Sequence, residues 1–585
     1  MVSQSNVSQP SEELQGIRHR LRHSAAHLMA DAVLELFPEA EFAIGPPTDE
    51  GFYYDFRVLR PFTPEDLGNI EQLMRERIAQ DTSFLRNEIT RQEAKAFFQG
   101  QPFKQELIDA IPEDEPISTY SHGTFVDLCE GPHLDRTGAL VAFKLLSVAG
   151  AYWRGDERNP MLQRIYGTAF EDQETLDTYL RLRAEAESRD HRRLGKELGL
   201  FMFDPIAPAS PFFLPKGAVL YNLLLEYVRG LYDRYGYKEI ITPQIFGTEL
   251  WKLSGHYDNY LDSMYFTEVE EREFGVKPMN CPGHALLYAS ERHSYRELPL
   301  RYADFGRLHR FERSGSTHGL TRVRSFAQDD AHIFCTPDQI ASEVSGFVGM
   351  ALESYGVFSF DNVRIVLSLR PEKRVGSNDL WDRSEAILEQ VLTQLKLSHE
   401  VVPGEGAFYG PKIDFFVPDA IGREWQLGTV QLDFSMPERF RLEYIGEDGS
   451  SHQPVMIHRA MLGSLERFIG VLIEHYGGAF PFWLSPTQAM VIPIADRHSA
   501  YGDQVVLELR RKGFRVELDD RGERMQAKIR DAQLQKVPYM LVVGDKEAEA
   551  GGVACRLRDG TDLGLISLED LVSKLEKEGF ERALR

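Results

Sequence analysis

A change in hydrophobic pattern near residue 486 constrains the fold of this chain more than any other feature of its sequence. Before it, residues 200–484 carry aromatic and β-branched runs separated by turns, such as YKEIITPQI, GPKIDFFVP and EWQLGTVQLDFS. These runs predict a largely antiparallel sheet flanked by helices. After LSPTQ, strands and helices alternate (AMVIPI, SAYGDQVVLELRRKG, FRVELDD, ERMQAKIRDAQLQKV, PYMLVVGD), which predicts a small α/β domain with a mainly parallel sheet.

The length of 585 residues is too great for one hydrophobic core, so roughly three or four domains are expected. The Ser/Gln-rich start predicts disorder, and the charged stretch DQETLDTYLRLRAEAESRDHRRLGKEL predicts a connecting helix. We therefore predict an α+β multidomain protein with these segments: a disordered N-terminus at 1–15, an α+β domain at 16–185, a linker helix at 186–200, an antiparallel-sheet domain at 201–485 and an α/β domain at 486–585.

The bulk composition restricts the cellular setting and leaves nucleic acid open as a partner. No apolar run approaches the ~20 residues of a membrane span, and the polar start MVSQSNVSQPSEELQ lacks a signal-peptide pattern. Four cysteines without repeated spacing fit a reducing cytoplasm better than a disulfide framework. The net charge of −24 does not exclude RNA, because local basic faces decide binding. Two such stretches, RLHRFER and RDHRRLGK, fit either an RNA contact or a solvated helix face.

Two arginine-containing stretches suggest a site for a phosphorylated nucleotide. Arg310 and Glu312 in HRFE are two residues apart on a predicted strand, so they would face the same side and hold a phosphate and an adenine amino group or metal. Arg467 follows Gly463 and Ser464 at a predicted helix start, where small residues let a flat base approach the backbone. Taken singly, each stretch is more simply explained as a surface ion pair. No Gly-rich phosphate loop of the Lys-Ser/Thr type occurs in the sequence.

The order of these stretches resembles a known enzyme class. Motifs 1, 2 and 3 of class II aminoacyl-tRNA synthetases are similar to GLYDRYGYKEIITPQI, RYADFGRLHRFE and LGSLERF. The resemblance narrows to the threonyl-tRNA synthetases at MNCPGH, THGLTRVRSFAQDDAHIF, FYGPKIDFF, EWQLGTVQLDF and MIHRAMLGSLERF, and it extends from about residue 16 to the C-terminus. It implies a class II catalytic domain, an α/β anticodon-binding domain and an N-terminal α+β editing domain. The implied reaction is ATP- and Mg²⁺-dependent ligation of L-threonine to tRNA(Thr) through threonyl-adenylate.

The resemblance also assigns residues to the nucleotide site. Arg310 and Arg467 would bind the triphosphate, and Glu312 would hold adenine or Mg²⁺. Arg322, in the loop of motif 2, would meet phosphate as well. His256, in LSGHYDN just after motif 1, is a candidate to assist proton removal in the transfer step, and a solvated loop histidine is the alternative. The task of the protein is then mainly to position and neutralise charge.

Cys281, His332 and His458 are far apart in sequence, and spacing alone favours a buried cysteine and two structural histidines. The resemblance instead implies that they bind one zinc ion and leave its fourth position open. An apolar pocket separates threonine from valine by only ~10²-fold, whereas a zinc ion that requires a hydroxyl ligand rejects valine. The resemblance further implies that Asp330 accepts a hydrogen bond from the threonine hydroxyl and is not a turn acid. The other residues that it assigns to the substrate pocket are Gln328, Tyr409, Lys412, Gln431 and Ser464.

A second site is expected because zinc does not reject serine, which lacks only a methyl group worth ~1–3 kcal/mol. His23 and His27 in HSAAH share one helix face at i and i+4. Cys129 and His133 in DLCEGPH are likewise four residues apart. Either a metal site or a metal-free hydrolytic cleft fits these side chains. The region resembles the editing domain of bacterial-type threonyl-tRNA synthetases, which implies hydrolysis of seryl-tRNA(Thr), with Asp127 in support and no required metal.

The C-terminal domain resembles the anticodon-binding domain of class IIa synthetases. Its stretch DDRGERMQAKIRDAQ is predicted to form a strand–helix junction with four basic residues: Arg521, Arg524, Lys528 and Arg530. These side chains fit either an RNA-binding surface or a solvent-exposed helix face. Motif 1 commonly builds a dimer interface in this class, so a homodimer is expected. Many bacterial members carry an extra small N-terminal domain that this chain lacks, and both a truncation and a natively short protein fit that difference.

Two other functions compete with this interpretation. A prolyl- or seryl-tRNA synthetase of the same class would not need the cysteine–histidine trio or the HSAAH region. A non-catalytic tRNA- or mRNA-binding regulator would not need the whole set of Arg310, Glu312 and Arg467. Threonine-dependent ATP–pyrophosphate exchange, abolished by Cys281→Ser, discriminates among the three.

Overall fold

The computed structural model describes residues 11–313 and 315–580, and its contacts divide the chain into two compact units, 1–184 and 185–585. Residues 1–10 of the segment expected to be disordered lie outside the described residues. Its last residues are helical, contrary to that expectation, because the first helix begins at Glu12. The Ser11 hydroxyl accepts the Leu14 N–H at 3.3 Å and so caps the helix start, where two glutamates also favour the helix dipole.

The first unit combines two antiparallel sheets with helices. The four-stranded sheet has the order β1-β2-β7-β6, and the three-stranded sheet has the order β3-β4-β5. The elements are α1 (Glu12–Leu36), β1 (Glu41–Phe42), β2 (Phe52–Arg57), α2 (Pro64–Gln80), β3 (Leu85–Ile89), α3 (Arg91–Phe97), α4 (Pro102–Ala110), β4 (Ile117–His122), β5 (Phe125–Leu128), β6 (Ala142–Tyr152) and β7 (Met161–Phe170).

Helix α1 lies directly on the larger sheet, against β2 and β7. Its central segment SAAHLMADA buries four alanines completely, and their small side chains let the helix axis approach the strands. Leu28, Met29 and Val33 fill the space between helix and sheet. The same close approach brings the polar residues of HSAAH to the interior of the unit.

The predicted single linker helix at 186–200 is wrong. Two helices occupy this region, α5 (Gln173–Arg189) and α6 (His191–Glu197). The break falls at Asp190, whose carboxylate accepts the Arg192 N–H at 2.8 Å and caps α6.

The second unit contains the predicted antiparallel sheet. Its eight strands have the order β10-β15-β18-β25-β22-β21-β19-β20, and only the outer pairings β10–β15 and β19–β20 are parallel. Its elements are β8 (Phe201–Met202), β9 (Phe212–Phe213), α7 (Pro215–Tyr235), β10 (Lys238–Glu239), β11 (Ile245–Gly247), α8 (Thr248–Ser254), α9 (His256–Tyr260), β12 (Tyr265–Val269), β13 (Arg272–Val276), α10 (Cys281–Ala289), β14 (His293–Ser294), β15 (Leu300–Asp304), β16 (Arg307–His309), β17 (Ser325–Ala327), β18 (Asp330–Cys335), α11 (Ile340–Val357), β19 (Arg364–Ser368), α12 (Asn378–Gln394), β20 (Glu400–Val402), β21 (Lys412–Pro418), β22 (Glu424–Asp433), α13 (Ser435–Arg439), β23 (Tyr444–Ile445), β24 (Ser451–His452), β25 (Val455–Ala460) and α14 (Leu465–Tyr476).

The C-terminal part of this unit has a five-stranded sheet of order β27-β26-β28-β29-β30. Its elements are β26 (Ala489–Pro493), α15 (Ser499–Arg511), β27 (Val516–Leu518), α16 (Met525–Leu534), β28 (Tyr539–Val543), α17 (Asp545–Ala550), β29 (Gly552–Leu557), β30 (Asp562–Ser567) and α18 (Leu568–Phe580). The first three strands are parallel, as predicted, but β29 and β30 run antiparallel, so the sheet is mixed. A short turn at RDGT joins β29 to β30, and such a turn can only join antiparallel strands. Within residues 11–313 and 315–580, no helix combines the length and apolar character that a bilayer crossing requires.

Candidate functional site

The central strands of the eight-stranded sheet bring the predicted metal trio together. His332 on β18 and His458 on β25 are directly opposite in the antiparallel register, and Cys281 is the first residue of helix α10. His332 Nε2 lies 2.9 Å from His458 Nδ1, and the potential ligand atoms of all three residues lie within 4.8 Å of one another. All three residues are buried. The fold therefore brings together three residues that are far apart in sequence.

The outer ring nitrogens of the two histidines have polar partners. His458 Nε2 is 2.9 Å from Asp433 Oδ2, and His332 Nδ1 is 2.8 Å from His284 Nδ1. Burial raises the pKa of the Cys281 thiol well above its usual range and lowers the pKa of His332 well below its own. Without a cation the Cys281 thiol and the His332 ring are therefore neutral, and a bound cation would convert the thiol to a thiolate. Sequence reasoning missed His284, whose only signal is its place at the end of MNCPGH.

Three predicted pocket residues adjoin this cluster. Gln431 on β22 is opposite His458, and the Tyr409 hydroxyl donates to its Oε1 atom. The Tyr409 and His458 rings are 5.2 Å apart. Lys412 is opposite Gln431 on the neighbouring strand, and its Nζ lies 2.8 Å from Asp414 Oδ2, so its charge is already paired.

Asp330 faces the same cluster from the start of β18. Asn280 Nδ2 donates to Asp330 Oδ2 at 3.1 Å, and Asp330 Oδ1 lies 3.9 Å from His332 Nε2. Burial raises the pKa of Asp330. Its carboxylate therefore lies beside the histidines, on a sheet strand and not in a turn.

His256 is not the loop histidine that the sequence suggested. It begins α9 and is buried, with Nδ1 2.8 Å from Ser254 Oγ and Nε2 3.1 Å from Met279 Sδ. Its Nε2 lies 3.7 Å from Cys281 Sγ. Burial lowers the pKa of His256 to about 4, so the ring is neutral near pH 7. The alternative of a solvated side chain is thereby wrong.

A separate cavity of about 350 Å³ collects the predicted nucleotide-site residues. Its lining includes Arg310, Glu312, Arg322, Gln328, Gly463, Ser464 and Arg467. Gln328 and Ser464 form an isolated β-bridge across its floor. Gln328, expected to shape the amino-acid pocket, thus lines the cavity of the three arginines.

The predicted placement of Arg310 and Glu312 on one strand face is wrong. Strand β16 ends at His309, and the Glu312 N–H donates to the Arg310 carbonyl at 3.0 Å, so the backbone turns there. Arg310 Nε donates to the Pro278 carbonyl at 3.2 Å. Glu312 instead pairs with Arg322, whose Nε donates to its Oε2 at 3.0 Å. The arginine and glutamate therefore enter the cavity from a turn.

Arg467 lies on the first turn of α14, as predicted. The Ser464 hydroxyl caps this helix by accepting the Arg467 N–H at 3.0 Å, and Arg467 Nε donates to the Thr321 carbonyl at 3.0 Å. Gly463 has φ +72°, and a Cβ there would lie 2.8 Å from the Leu427 carbonyl oxygen. The turn itself therefore requires glycine, besides any approach of a base.

The loop that carries Arg322 is held by a buried histidine. His191 Nδ1 donates to Glu474 Oε1 at 2.6 Å, and its Nε2 accepts the Leu320 N–H at 2.9 Å. Asp190, His191 and Glu474 have the residue types of a metal site. Both ring nitrogens are already bonded within the protein, so this cluster is structural.

The first unit brings the second Cys/His set together. Helix α1 places His23 and His27 one turn apart, and the loop after β5 carries Cys129 and His133. Cys129 Sγ lies 3.2 Å from His23 Nε2 and 3.2 Å from His133 Nε2. The potential ligand atoms of all four residues lie within 4.8 Å of one another.

Hydrogen bonds between neutral groups join three of the four side chains of this cluster, whereas His27 Nδ1 has no hydrogen-bond partner among the described residues. His23 Nδ1 donates to the Pro132 carbonyl at 3.3 Å, which leaves Nε2 to accept from the Cys129 thiol. His133 Nδ1 lies 3.2 Å from Ser24 Oγ. Burial lowers the pKa of His23 to about 4 and raises the pKa of Cys129 to about 12.

Asp127 is engaged by two residues that sequence reasoning missed. Its Oδ1 lies 2.5 Å from Lys104 Nζ, and its Oδ2 accepts from the Tyr54 hydroxyl. His27 Nε2 is 3.7 Å from the same oxygen. A cavity of about 460 Å³ is lined by His23, His27, Lys104, Asp127 and Cys129. No local pattern marks Lys104 or Tyr54, because their contacts with Asp127 form only in the folded unit.

The predicted tRNA-binding residues divide into two groups. Arg521, Arg524 and Arg530 are exposed around the start of α16, although Arg521 pairs with Asp519 at 2.7 Å. Lys528 is buried, and its Nζ donates to the Asp519 carbonyl at 2.9 Å. The assignment of Lys528 to an RNA-facing surface is therefore wrong, because its charge stabilises the strand–helix connection.

Comparison with known proteins agrees with this architecture. Three family models match the chain: "tRNA synthetase class II core domain (G, H, P, S and T)" over residues 265–476, "Anticodon binding domain" over 488–578, and "Threonyl and Alanyl tRNA synthetase second additional domain" over 117–166. A threonine–tRNA ligase of Alkalilimnicola ehrlichii is 54% identical over 95% of this chain and 87% of its own length. One of Methylococcus capsulatus is 52% identical over 96% of this chain and 89% of its own length.

Two solved structures are also similar. The RNA binding domain of threonyl-tRNA synthetase from Cryptosporidium parvum shares 46% identity and a TM-score of 0.65, covering 67% of this chain and 98% of that one. A putative threonyl-tRNA synthetase from Aeropyrum pernix shares 30% identity and a TM-score of 0.59, covering 68% and 96%. Because the two threonine–tRNA ligases are 54% and 52% identical to this chain over 95% and 96% of its length, the chain belongs to the threonine–tRNA ligase family.

Proposed function

We propose that this protein ligates L-threonine to tRNA(Thr) through threonyl-adenylate and hydrolyses seryl-tRNA(Thr) at a second site. The observation that carries the proposal is the pair of Cys/His clusters. One lies in the second unit, which also contains the cavity lined by Arg310, Arg322 and Arg467 (the three-arginine cavity), and the other lies beside a cavity of the first unit. Family membership supports the same reaction. The proposed domains are editing at 16–185, catalytic at 201–485 and anticodon-binding at 486–585.

The three-arginine cavity would bind ATP with Mg²⁺. In the first step the threonine carboxylate attacks the α-phosphate and pyrophosphate leaves; in the second, a hydroxyl of the tRNA 3′-terminal ribose attacks the carbonyl and AMP leaves. Arg310, Arg322 and Arg467 would neutralise phosphate charge, and Glu312 would hold adenine or Mg²⁺. Such fixed charges supply most of the catalysis in phosphoryl chemistry of this kind. The Glu312–Arg322 pair would open when phosphate competes for the guanidinium.

The trio Cys281, His332 and His458 has the donor set of a zinc site that is not closed. One thiol and two imidazoles converge within 4.8 Å, and the outer nitrogens of both rings are occupied, which leaves the inner nitrogens free to bind a metal. When bound, zinc supplies a Lewis acid for the amino group and hydroxyl of threonine. Asp330 would accept from that hydroxyl.

The remaining pocket residues would enclose the substrate. Tyr409 and Gln431, joined by a hydrogen bond, would form one wall beside His458. Lys412, Gln328 and Ser464 would lie farther along the same sheet face and cavity edge. His256, neutral and beside Cys281, would assist the transfer step only as a proton acceptor.

Threonine-dependent ATP–pyrophosphate exchange tests the synthetic function. Cys281→Ser is expected to abolish exchange because it removes the thiolate donor. Cys335→Ser is a matched control, since Cys335 is also fully buried but lies at the far end of β18. The wild type should exchange with threonine and not with valine, proline or alanine. No exchange with threonine, or equal exchange in the Cys281→Ser variant and the control, would refute the proposal.

The second site would deacylate seryl-tRNA(Thr) without a metal. Water attacks the ester carbonyl, the ester C–O bond breaks, and the ribose oxygen receives the proton. His23, His27 and His133 are neutral, so they would act as proton acceptors for water and ribose. Cys129 and Asp127 would hold these rings and the ribose in place.

Other features support the proposed partners and location. The exposed guanidinium groups of Arg521, Arg524 and Arg530 would meet the tRNA anticodon region. A homodimer is proposed because the motif 1 segment exposes apolar side chains, with Ile241 91% and Ile245 52% exposed. Four free cysteines fit the proposed cytoplasmic location.

A further inference from the structure

His284 is a buried histidine to which nothing above assigns a role. It lies three residues after Cys281 on helix α10, so both side chains project from one face of the helix. Its side chain is completely shielded from solvent. The polar groups that face the two ring nitrogens of a completely buried imidazole indicate its role.

One nitrogen of His284 contacts the cluster directly. Its Nδ1 is 2.8 Å from His332 Nδ1, and the two rings are 4.5 Å apart and nearly perpendicular. Only one of two facing nitrogens can carry the proton. If His332 donates, then its Nε2 keeps a lone pair, and this is the atom that lies 2.9 Å from His458 Nδ1 within the cluster.

The other nitrogen of His284 faces a fixed carboxylate. His284 Nε2 lies 3.9 Å from Asp304 Oδ2, and it has no closer hydrogen-bond partner within the part of the chain that the structure describes. Asp304 accepts from the Thr242 hydroxyl at 2.7 Å and lies 3.3 Å from Lys277 Nζ. A carboxylate held there attracts the proton of His284 to Nε2, so Nδ1 must accept from His332.

We propose that His284 is a positioning residue that fixes the ring orientation and tautomer of His332 for zinc binding. This inference rests on the proposed zinc site. His284 is not itself a ligand, because its nitrogens fall outside the group of converging donor atoms. His284 and Asp433 have the same role for different histidines. Each accepts a hydrogen bond from the outer ring nitrogen of His332 or His458, so that the inner nitrogen is unprotonated and can bind the metal.

Zinc affinity of the full-length chain, measured by competition with a chromophoric chelator, tests the proposal. His284→Leu should weaken zinc binding about 10–100-fold, as loss of an outer partner does. His284→Asn should retain most of the affinity, because its amide oxygen can accept from His332 Nδ1. His293→Leu is the matched control, since His293 is buried near the same helix and contacts the Tyr288 carbonyl and Glu297. Unfolding midpoints of all variants separate lost metal from lost fold.

Three outcomes would overturn the inference. Zinc affinity could be unchanged in His284→Leu, it could fall equally in His284→Asn and His284→Leu, or it could fall equally in the His293→Leu control. A wild-type chain that binds no zinc would instead refute the proposed metal site, and the inference with it. That result is seen without any variant, so the two failures are distinguishable. Co²⁺ substitution gives a second readout, since a changed ligand orientation alters the visible absorption of the bound ion.

Discussion

The two Cys/His clusters contain the same kinds of donor atom, a thiol sulfur and imidazole nitrogens, in different surroundings. In the second unit, the outer nitrogens of the histidines face Asp433 and His284. In the first unit, the Nδ1 atoms of His23 and His133 face the Pro132 carbonyl and the Ser24 hydroxyl. A carboxylate partner raises the basicity of an imidazole ligand, whereas neutral partners only orient the ring.

A nearby cation increases this difference. Lys104 lines the cavity of the first unit and pairs with Asp127 at 2.5 Å, whereas the His27 ring lies 3.7 Å from this acid. A fixed positive charge disfavours binding of a second cation close by. If the two sites have their proposed functions, Cys and His types alone do not decide between metal binding and hydrolysis, and the charges around them do.

The largest expected effect is on metal content. The wild-type chain should retain one zinc ion after dialysis, Cys281→Ser should retain almost none, and Cys129→Ser should retain the wild-type amount. The reason is that Asp433 bonds to His458 in the Cys281 cluster, whereas the acid beside the Cys129 cluster, Asp127, is already paired with Lys104. Atomic emission spectroscopy on purified chains measures this directly. Two zinc ions in the wild type, or one lost with Cys129, would erase the distinction between the clusters.

The next effect is on clearance of mischarged tRNA. His23→Ala and His27→Ala should slow deacylation of seryl-tRNA(Thr) by about 10²–10⁴-fold, because each removes a proton acceptor from the cavity. Threonine charging should be unchanged. His19→Ala is the matched control, since His19 lines the same cavity one turn earlier on α1. Measured seryl-tRNA hydrolysis at the wild-type rate in both histidine variants would contradict the assignment.

The smallest effect is a dependence of stability on pH. The pKa of His23 is about 4 in the folded chain, below the ordinary value of 6.5, so unfolding takes up a proton. Its contribution to stability is therefore complete above pH 6.5 and is lost as the pH falls toward 4. The temperature of the unfolding midpoint should decrease when the pH is lowered from 7 to 5, on the order of 2–4 °C for each kcal/mol of unfolding free energy lost. In His23→Ala this fall should be smaller; an equal fall would assign it to other groups.

Sequence patterns predicted some elements well and failed where short contacts decide the local shape. The antiparallel sheet was recognisable because most of its strands carry β-branched and aromatic residues, although β10 (Lys238–Glu239) does not. The linker helix was wrong because one aspartate cap at Asp190 breaks an otherwise helical stretch. Lys528 was misplaced because a basic residue in a polar helix says nothing about which face is buried.

The sequence by itself determined the family, the order of the domains and the donor residues of both clusters, because these follow from local motifs and from resemblance along the whole chain. Only the tertiary structure decided which atoms meet. The strand register pairs His332 with His458, and the packing of α10 adds His284. The packing of α4 brings Lys104 to Asp127. These contacts join residues that are distant in sequence, and their charges, which no local pattern encodes, distinguish the two sites.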